Sequence, residues 1–170
     1  HVGNYSKAVS SHEEALAVQR KSLLSNHPDL GGSYNNIGFV YYYMGDYPTA
    51  MLCYEKAVAI QQQSLPSNHP HFAKSYNRIG MINDNMGDYP KSLSYHKKDF
   101  AILQQSFPSN HPSLGASYNN MGLMYENMDN YSKAHSFYER AVLVGQQSLP
   151  TNHPNLQQWR KNLENIEKKL

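Results

Sequence analysis

One triplet sets the metre of this chain. Asn-His-Pro begins at Asn26, Asn68, Asn110 and Asn152, a constant spacing of 42 residues. Two further words keep the same period. The first reads Gly-Asn-Tyr at Gly3, Gly-Asp-Tyr at Gly45 and Gly87, and Asp-Asn-Tyr at Asp129. The second is Ser-Tyr-Asn, then Asn or Arg, then Ile or Met, then Gly, beginning at Ser33, Ser75 and Ser117. Three words in one register make the repeat the organising unit. Each copy must be a supersecondary element that buries its apolar face against its neighbours.

Inside a copy the periodicity is helical. Between Pro70 and Met86 the apolar and aromatic residues Phe72, Ala73, Tyr76, Ile79, Ile82 and Met86 fall mostly at steps of three and four. Gly87-Asp88 then breaks the pattern, as glycine does past a helix end. In the preceding copy Tyr47, Ala50, Met51, Tyr54, Ala57, Val58 and Gln61 mark a second amphipathic helix. One repeat is therefore helix A of about four turns, a tight turn, helix B of about five turns, and the Asn-His-Pro loop. β-branched residues never alternate over a useful length, so no strand competes. The expected fold is all-α. Residues 1–25 read as a lone helix B, 26–67, 68–109 and 110–151 as three helix pairs, and 152–170 as a capping helix. In that last helix Leu156, Trp159, Leu163, Ile166 and Leu170 take one face, and Lys161, Glu164, Lys168 and Lys169 the rest.

Composition narrows the function classes. Lys plus Arg total 15 against 13 Asp plus Glu, which supplies no general attraction to nucleic acid or an acidic membrane. No apolar run approaches the roughly 18 residues of a membrane helix. Cys53 is the one cysteine, so no internal disulfide can form, and a reducing, cytoplasmic setting is expected. The chain opens mid-motif and reads as a piece of a longer protein, one alternative being the regulatory region of an enzyme whose catalytic domain lies upstream. No nucleophile elbow or phosphate-binding glycine motif occurs, so this segment is not expected to be an enzyme.

The repeat resembles the tetratricopeptide family. Its pattern is an aromatic, then Leu-Gly, then Tyr, followed downstream by Ala, an aromatic and Ala. Tyr34, Ile37, Gly38, Tyr41, Gly45, Tyr47, Ala50, Tyr54 and Ala57 fill it, as do Tyr118, Met121, Gly122, Tyr125, Tyr131, Ala134, Tyr138 and Ala141. The middle copy keeps Tyr76, Ile79, Gly80, Gly87 and Tyr89 but departs at Asn83, Ser92, His96 and Asp99. Its second helix is expected to pack less tightly. A standard repeat of this family has 34 residues, and the longer period with His-Pro opening helix A is similar to the kinesin light chain type. The resemblance implies a right-handed α-α superhelix, a solenoid of antiparallel helix pairs, acting as a scaffold that binds peptide segments in a concave groove lined by helix A.

It also implies site residues. The family's groove asparagine carries over to Asn35, Asn77 and Asn119, whose amides can bond peptide N–H and C=O groups. On the same helical stripe lie Asn36, Arg78 and Asn120, and also Phe39, Met81 and Lys74. Lys74 and Arg78 are the stripe's cations, so an acidic group on the peptide is expected beside them. A competing role for the asparagines is bonding between neighbouring helices.

Other features read as structure. His27, His69, His111 and His153 recur one period apart, too far to share an ion, and no Cys, Asp or Glu completes a set around His69 and His71. Neither a metal nor a cofactor is expected. Pro in the first turn suits a helix start, and the Ser and Asn before it are candidate caps. Met44, Met86 and Met128 are expected as core filler at the end of helix A. Gly38, Gly80 and Gly122 lie inside helices, which suggests close approach of another backbone. Asn4 and Asn130 match a glycosylation pattern but lie in the turn word. The lone first helix, with Ala8, Ala15 and Leu16 on its apolar face, would allow head-to-tail self-association.

Overall fold

The computed structural model describes residues 2–170, with side chains from Tyr5 onward, so the turn word at Gly3 and the glycosylation pattern at Asn4 lie outside the described side chains. Among the described residues the chain is all-α. The helices are α1 (Val2–Ser22), α2 (Pro28–Met44), α3 (Tyr47–Ser64), α4 (Pro70–Asn85), α5 (Tyr89–Ser106), α6 (Pro112–Asn127), α7 (Tyr131–Ser148) and α8 (Pro154–Glu167). They fall into two compact units that meet in sequence between Ile82 and Asn83.

The histidine of each Asn-His-Pro word caps a helix. His27, His111 and His153 are the N-cap residues of α2, α6 and α8, in extended backbone, with Pro at the first helical position. Nδ1 of each accepts the backbone N–H two residues on: Asp29 to His27 at 3.3 Å, Ser113 to His111 at 3.2 Å, Asn155 to His153 at 3.2 Å. His71 donates to His69 in the same way at 3.3 Å. The cap expected from Ser or Asn is thus supplied by the imidazole, which answers an N–H that the first turn leaves without an intrahelical partner.

The turn word works by a division of labour. Gly45 and Gly87 take φ of 79°, the left-handed conformation that closes a helix without steric cost. Asp46, Asp88 and Asn130 then cap the next helix, accepting from Thr49 N–H at 3.1 Å, Lys91 N–H at 3.2 Å and Lys133 N–H at 3.3 Å. In the third copy Asp129 stands in the glycine's place at φ 55°. Asn130, part of the glycosylation pattern, is occupied as a cap.

In the first unit α1 packs on α2 and α2 on α3. The core joins Leu16, Leu30, Tyr34, Ile37, Cys53 and Ala57, with Leu23, Tyr41 and Ile60 against it. Leu16 is therefore a core residue and not part of a free face. Ala15 and Val18 are the exposed ones. The Cys53 thiol is buried, and desolvation raises its pKa despite the opposing charge of Lys56.

In the second unit α5 packs on α6, α6 on α7, and α7 on α8. Leu93, Met121 and Met124 form one cluster, Ala134, Tyr138 and Ile166 another, and Ala141, Val142, Leu156 and Trp159 a third. The methionine reading needs correction. Met128 packs against the core, but Met44 and Met86 are 41% and 60% exposed, because each sits where helix A gives way to the turn: Met44 ends α2 and Met86 follows the end of α4. The glycine reading changes too. A Cβ on Gly122 would stand 2.7 Å from the Tyr138 ring, and one on Gly38 would stand 3.2 Å from that of Tyr54. The close neighbours are helix B side chains, the Tyr138 ring for Gly122 and Cys53 Cβ at 3.1 Å with the Tyr54 ring for Gly38, not a backbone.

The middle copy's departures are interior. Ser92, His96 and Asp99 on α5 are buried, as is Asn83. Helix α5 still buries Leu93, Ile102 and Leu103, so polar groups accompany its packing and do not abolish it.

Candidate functional site

Five of the residues expected on the helix A stripe meet in the first unit. Asn35, Asn36 and Phe39 from α2 and Lys74 and Arg78 from α4 line one cavity of about 270 Å³. Helical spacing explains the convergence: one side of α2 presents residues 35, 36 and 39, and one side of α4 presents 74 and 78. The Arg78 guanidinium lies 4.9 Å from the Phe39 ring centroid, a cation–π distance, and a guanidinium nitrogen reaches Met81 Sδ at 3.7 Å. Phe39 packs edge-on against Tyr43 at 4.7 Å, and both rings are exposed, at 40% and 51%.

The asparagines divide. Asn35 is buried, and its Oδ1 accepts from Ser75 Oγ at 3.0 Å, so one of its groups ties α2 to α4. Ser75 is also 3.3 Å from Gln61 Oε1, extending the tie to α3. Asn36 is exposed at the cavity. Asn77 is half-buried and outside the cavity lining. Asn119 and Asn120, also half-buried, belong to the second unit, where Asn119 Oδ1 accepts from Asn162 Nδ2 at 2.8 Å.

The cavity has a sixth lining residue that the stripe argument missed. Tyr54, from α3, is 1% exposed and its hydroxyl has no hydrogen-bond partner. Burial pushes its pKa up to about 12, with Arg78 pulling the other way. The repeat itself held the signal. Two periods on, 84 residues later, Tyr138 takes the place of Tyr54 and Glu126 the place of Tyr42. Tyr138 donates to Glu126 Oε2 at 2.6 Å, and Lys169 Nζ bonds the other oxygen of that carboxylate at 2.9 Å. The second unit thus supplies its own acid to this tyrosine. The first unit has a tyrosine hydroxyl and two cations, and no carboxylate among the cavity's lining residues.

Among the described residues no three His, Cys, Asp or Glu side chains converge as metal ligands would, and no helix is long and apolar enough to cross a membrane.

Comparison with known proteins bears on the family and the fold. A family model described as tetratricopeptide repeat matches residues 1–63 and 71–142. No curated protein matches the chain. Among solved structures, the nearly identical TPR-like repeats of a protein described as a kinesin light chain from Podosopora anserina superpose with a TM-score of 0.81 at 25% identity, covering 98% of this chain and 79% of that one. BtubC (BKLC) from P. vanneervenii gives 0.89 at 24% identity, covering 98% and 66%. The N-terminal domain of stress-induced protein-1 from C. elegans gives 0.62 at 15%, covering 82% and 96%. The last two likenesses speak to the fold alone. Repeats of this family are in general non-catalytic protein–protein interaction modules. With its helix pairs and the match over most of its length, the chain belongs to the tetratricopeptide repeat family, as an array of the kinesin light chain-like type.

Proposed function

We propose that the chain binds a peptide segment of a partner protein along helix A of the first unit, with an acidic side chain of the peptide seated in the cavity between Lys74, Arg78 and the Tyr54 hydroxyl. The observation that carries this reading is the buried, unpartnered Tyr54 O–H at a cavity holding two cations. A buried donor left unmade costs about 1–3 kcal/mol, and a ligand carboxylate would remove that cost as Glu126 does for Tyr138. Asn36 offers an exposed amide for the peptide backbone, and Phe39 and Tyr43 offer aromatic surface beside it.

Fluorescence anisotropy against a peptide library tests the proposal. Binders should be enriched in Asp and Glu, and affinity should fall with added salt. Arg78→Ala and Lys74→Ala should each weaken binding by about tenfold or more, the loss expected of a charge-assisted bond. Asn77→Ala, outside the cavity lining, should matter less. Unchanged binding in both cation variants would remove the groove from consideration.

A further inference from the structure

A cavity larger than the one lined by Tyr54 lies elsewhere in the first unit. It measures about 510 Å³ and opens beside the end of α1, and none of its lining residues belongs to the stripe described above. Leu23, Leu30 and Ile60 form apolar walls, and Tyr34 stands between two cations. The Arg20 guanidinium donates to the Tyr34 hydroxyl, and its carbon lies 5.6 Å from the ring centroid. Lys56 Nζ is also 5.6 Å from that centroid. No acidic residue lines the cavity, and neither cation forms a salt bridge among the described residues.

The repeat shows that this is a local construction. Two periods on, Gln104 stands at the place of Arg20 and Phe107 at that of Leu23. There Tyr118 packs 4.7 Å from Phe100, with a single cation, Arg140, at 5.8 Å, and Phe107 stacks on His111 at 4.1 Å. The second unit surrounds its tyrosine with rings. The first surrounds it with charge and leaves apolar space alongside.

We infer that this cavity is a binding site for a small amphiphilic acid, one aryl or branched-alkyl group ending in a carboxylate. The apolar group takes the space between Leu23, Leu30 and Ile60, and the carboxylate takes Arg20 and Lys56. Ligand pockets of roughly 300–1,000 Å³ with apolar walls and a few fixed polar groups have this make-up. The charge complement is one-sided, since two cations face the space with no acid to answer them. Arginine held by the Tyr34 hydroxyl is already oriented, so less side-chain freedom is lost on binding. A volume of about 510 Å³ matches a small acid. This inference is independent of the proposed peptide groove.

The test is a titration of the nitrogen-labelled full chain with 4-phenylbutyrate, followed by amide chemical shifts, with 4-phenylbutyramide as the neutral control. Saturable shifts at Tyr34, Lys56 and Ile60 are expected for the acid, with the amide weaker by about tenfold. Arg20→Gln, which installs the residue of the second unit, and Lys56→Gln should each weaken the acid comparably. Ala59→Leu, which copies Leu143 two periods on, fills space without removing charge and should abolish binding, while Arg78→Ala should leave it unchanged. No saturable shift up to millimolar acid, equal binding of acid and amide, or full affinity in both charge variants would overturn the inference. So would binding here of a peptide ending in a free leucine carboxylate when the small acid does not bind.

Discussion

Ser117 donates its hydroxyl to Asp99 Oδ2 at 3.0 Å in the interior of the second unit, where both residues are buried. One turn earlier on α5 lies His96, also buried, with no partner for its Nδ1. Burial pushes the Asp99 carboxyl up to about 7, against the Ser117 bond, and pushes the His96 imidazole down to about 4.

These shifts make opposite contributions to stability. Asp99, raised in the folded state, contributes most at low pH and loses that contribution as pH rises from about 4 towards 7. His96, lowered in the folded state, contributes fully above about 6.5 and loses its contribution as pH falls towards 4. Between those limits the folded state holds one proton on Asp99 and the unfolded state one on His96, so the slopes cancel. Urea midpoints of the native chain should be nearly flat from about pH 4.5 to 6. His96→Tyr should make stability fall with rising pH there, and Asp99→Ala should make it fall with acid, each by up to about 1.4 kcal/mol per pH unit. Parallel curves for all three proteins would refute the assignment.

Tyr54 and Tyr138 should respond oppositely to loss of the hydroxyl. Tyr54→Phe removes a buried donor with no partner and should stabilise the free protein by about 1 kcal/mol while weakening acidic peptides. Tyr138→Phe breaks the bond to Glu126 and should destabilise by about 1–2 kcal/mol. Chemical denaturation of the two variants reads both signs.

Gly122→Ala should destabilise by about 1–3 kcal/mol, because its Cβ would meet the Tyr138 ring at 2.7 Å and the neighbouring helix must shift. Gly45→Ala meets no atom within 4 Å and tests backbone conformation alone. A cost of about 1–2 kcal/mol is expected there from the left-handed φ. Thermal or urea unfolding distinguishes a steric cost, relieved in the first case by a smaller residue at Tyr138, from a conformational one that no neighbour relieves.

His111→Ala should cost about 0.5–2 kcal/mol by removing the acceptor for Ser113 N–H, and His111→Asn should recover most of it. Equal loss in both variants would show that the imidazole acts through packing on Phe107 and not as a cap.

Much of this was legible in the sequence, for a physical reason. Helix periods and turn residues act over a few positions, so the period could be read directly, while the family resemblance together with helical spacing put Asn35, Asn36, Phe39, Lys74 and Arg78 on one stripe. What could not be read depends on which side chain reaches which atom. The capping histidine sits next to two better-known cap formers, and only the backbone angle decides among them. Met44 and Met86 follow the core period, yet they sit where helix A gives way to the turn and stay exposed. Leu16 reads as half of a bare face until α2 closes over it. Tyr54 fits the family's aromatic position, and its open hydroxyl emerges only when Tyr42 is compared with Glu126.

The joints between helices have a consequence for how such a chain can change in length. Each Asn-His-Pro joint is closed from within: imidazole to an N–H two residues on, and a turn from His111 N–H to Pro108 O at 2.9 Å, as from His69 to Pro66. The imidazole caps at His27, His69, His111 and His153 each bond an N–H of their own joint. A cassette of one period cut at these words could be gained or lost in a single duplication or deletion, and every seam would arrive ready-made. The middle cassette adds one condition, a serine in the helix that follows it. Its Asp99 accepts from Ser117 of the next helix A, and that serine recurs one and two periods earlier as Ser75 and Ser33, so the acid would be stranded only ahead of the last helix, which carries Trp159 at that place.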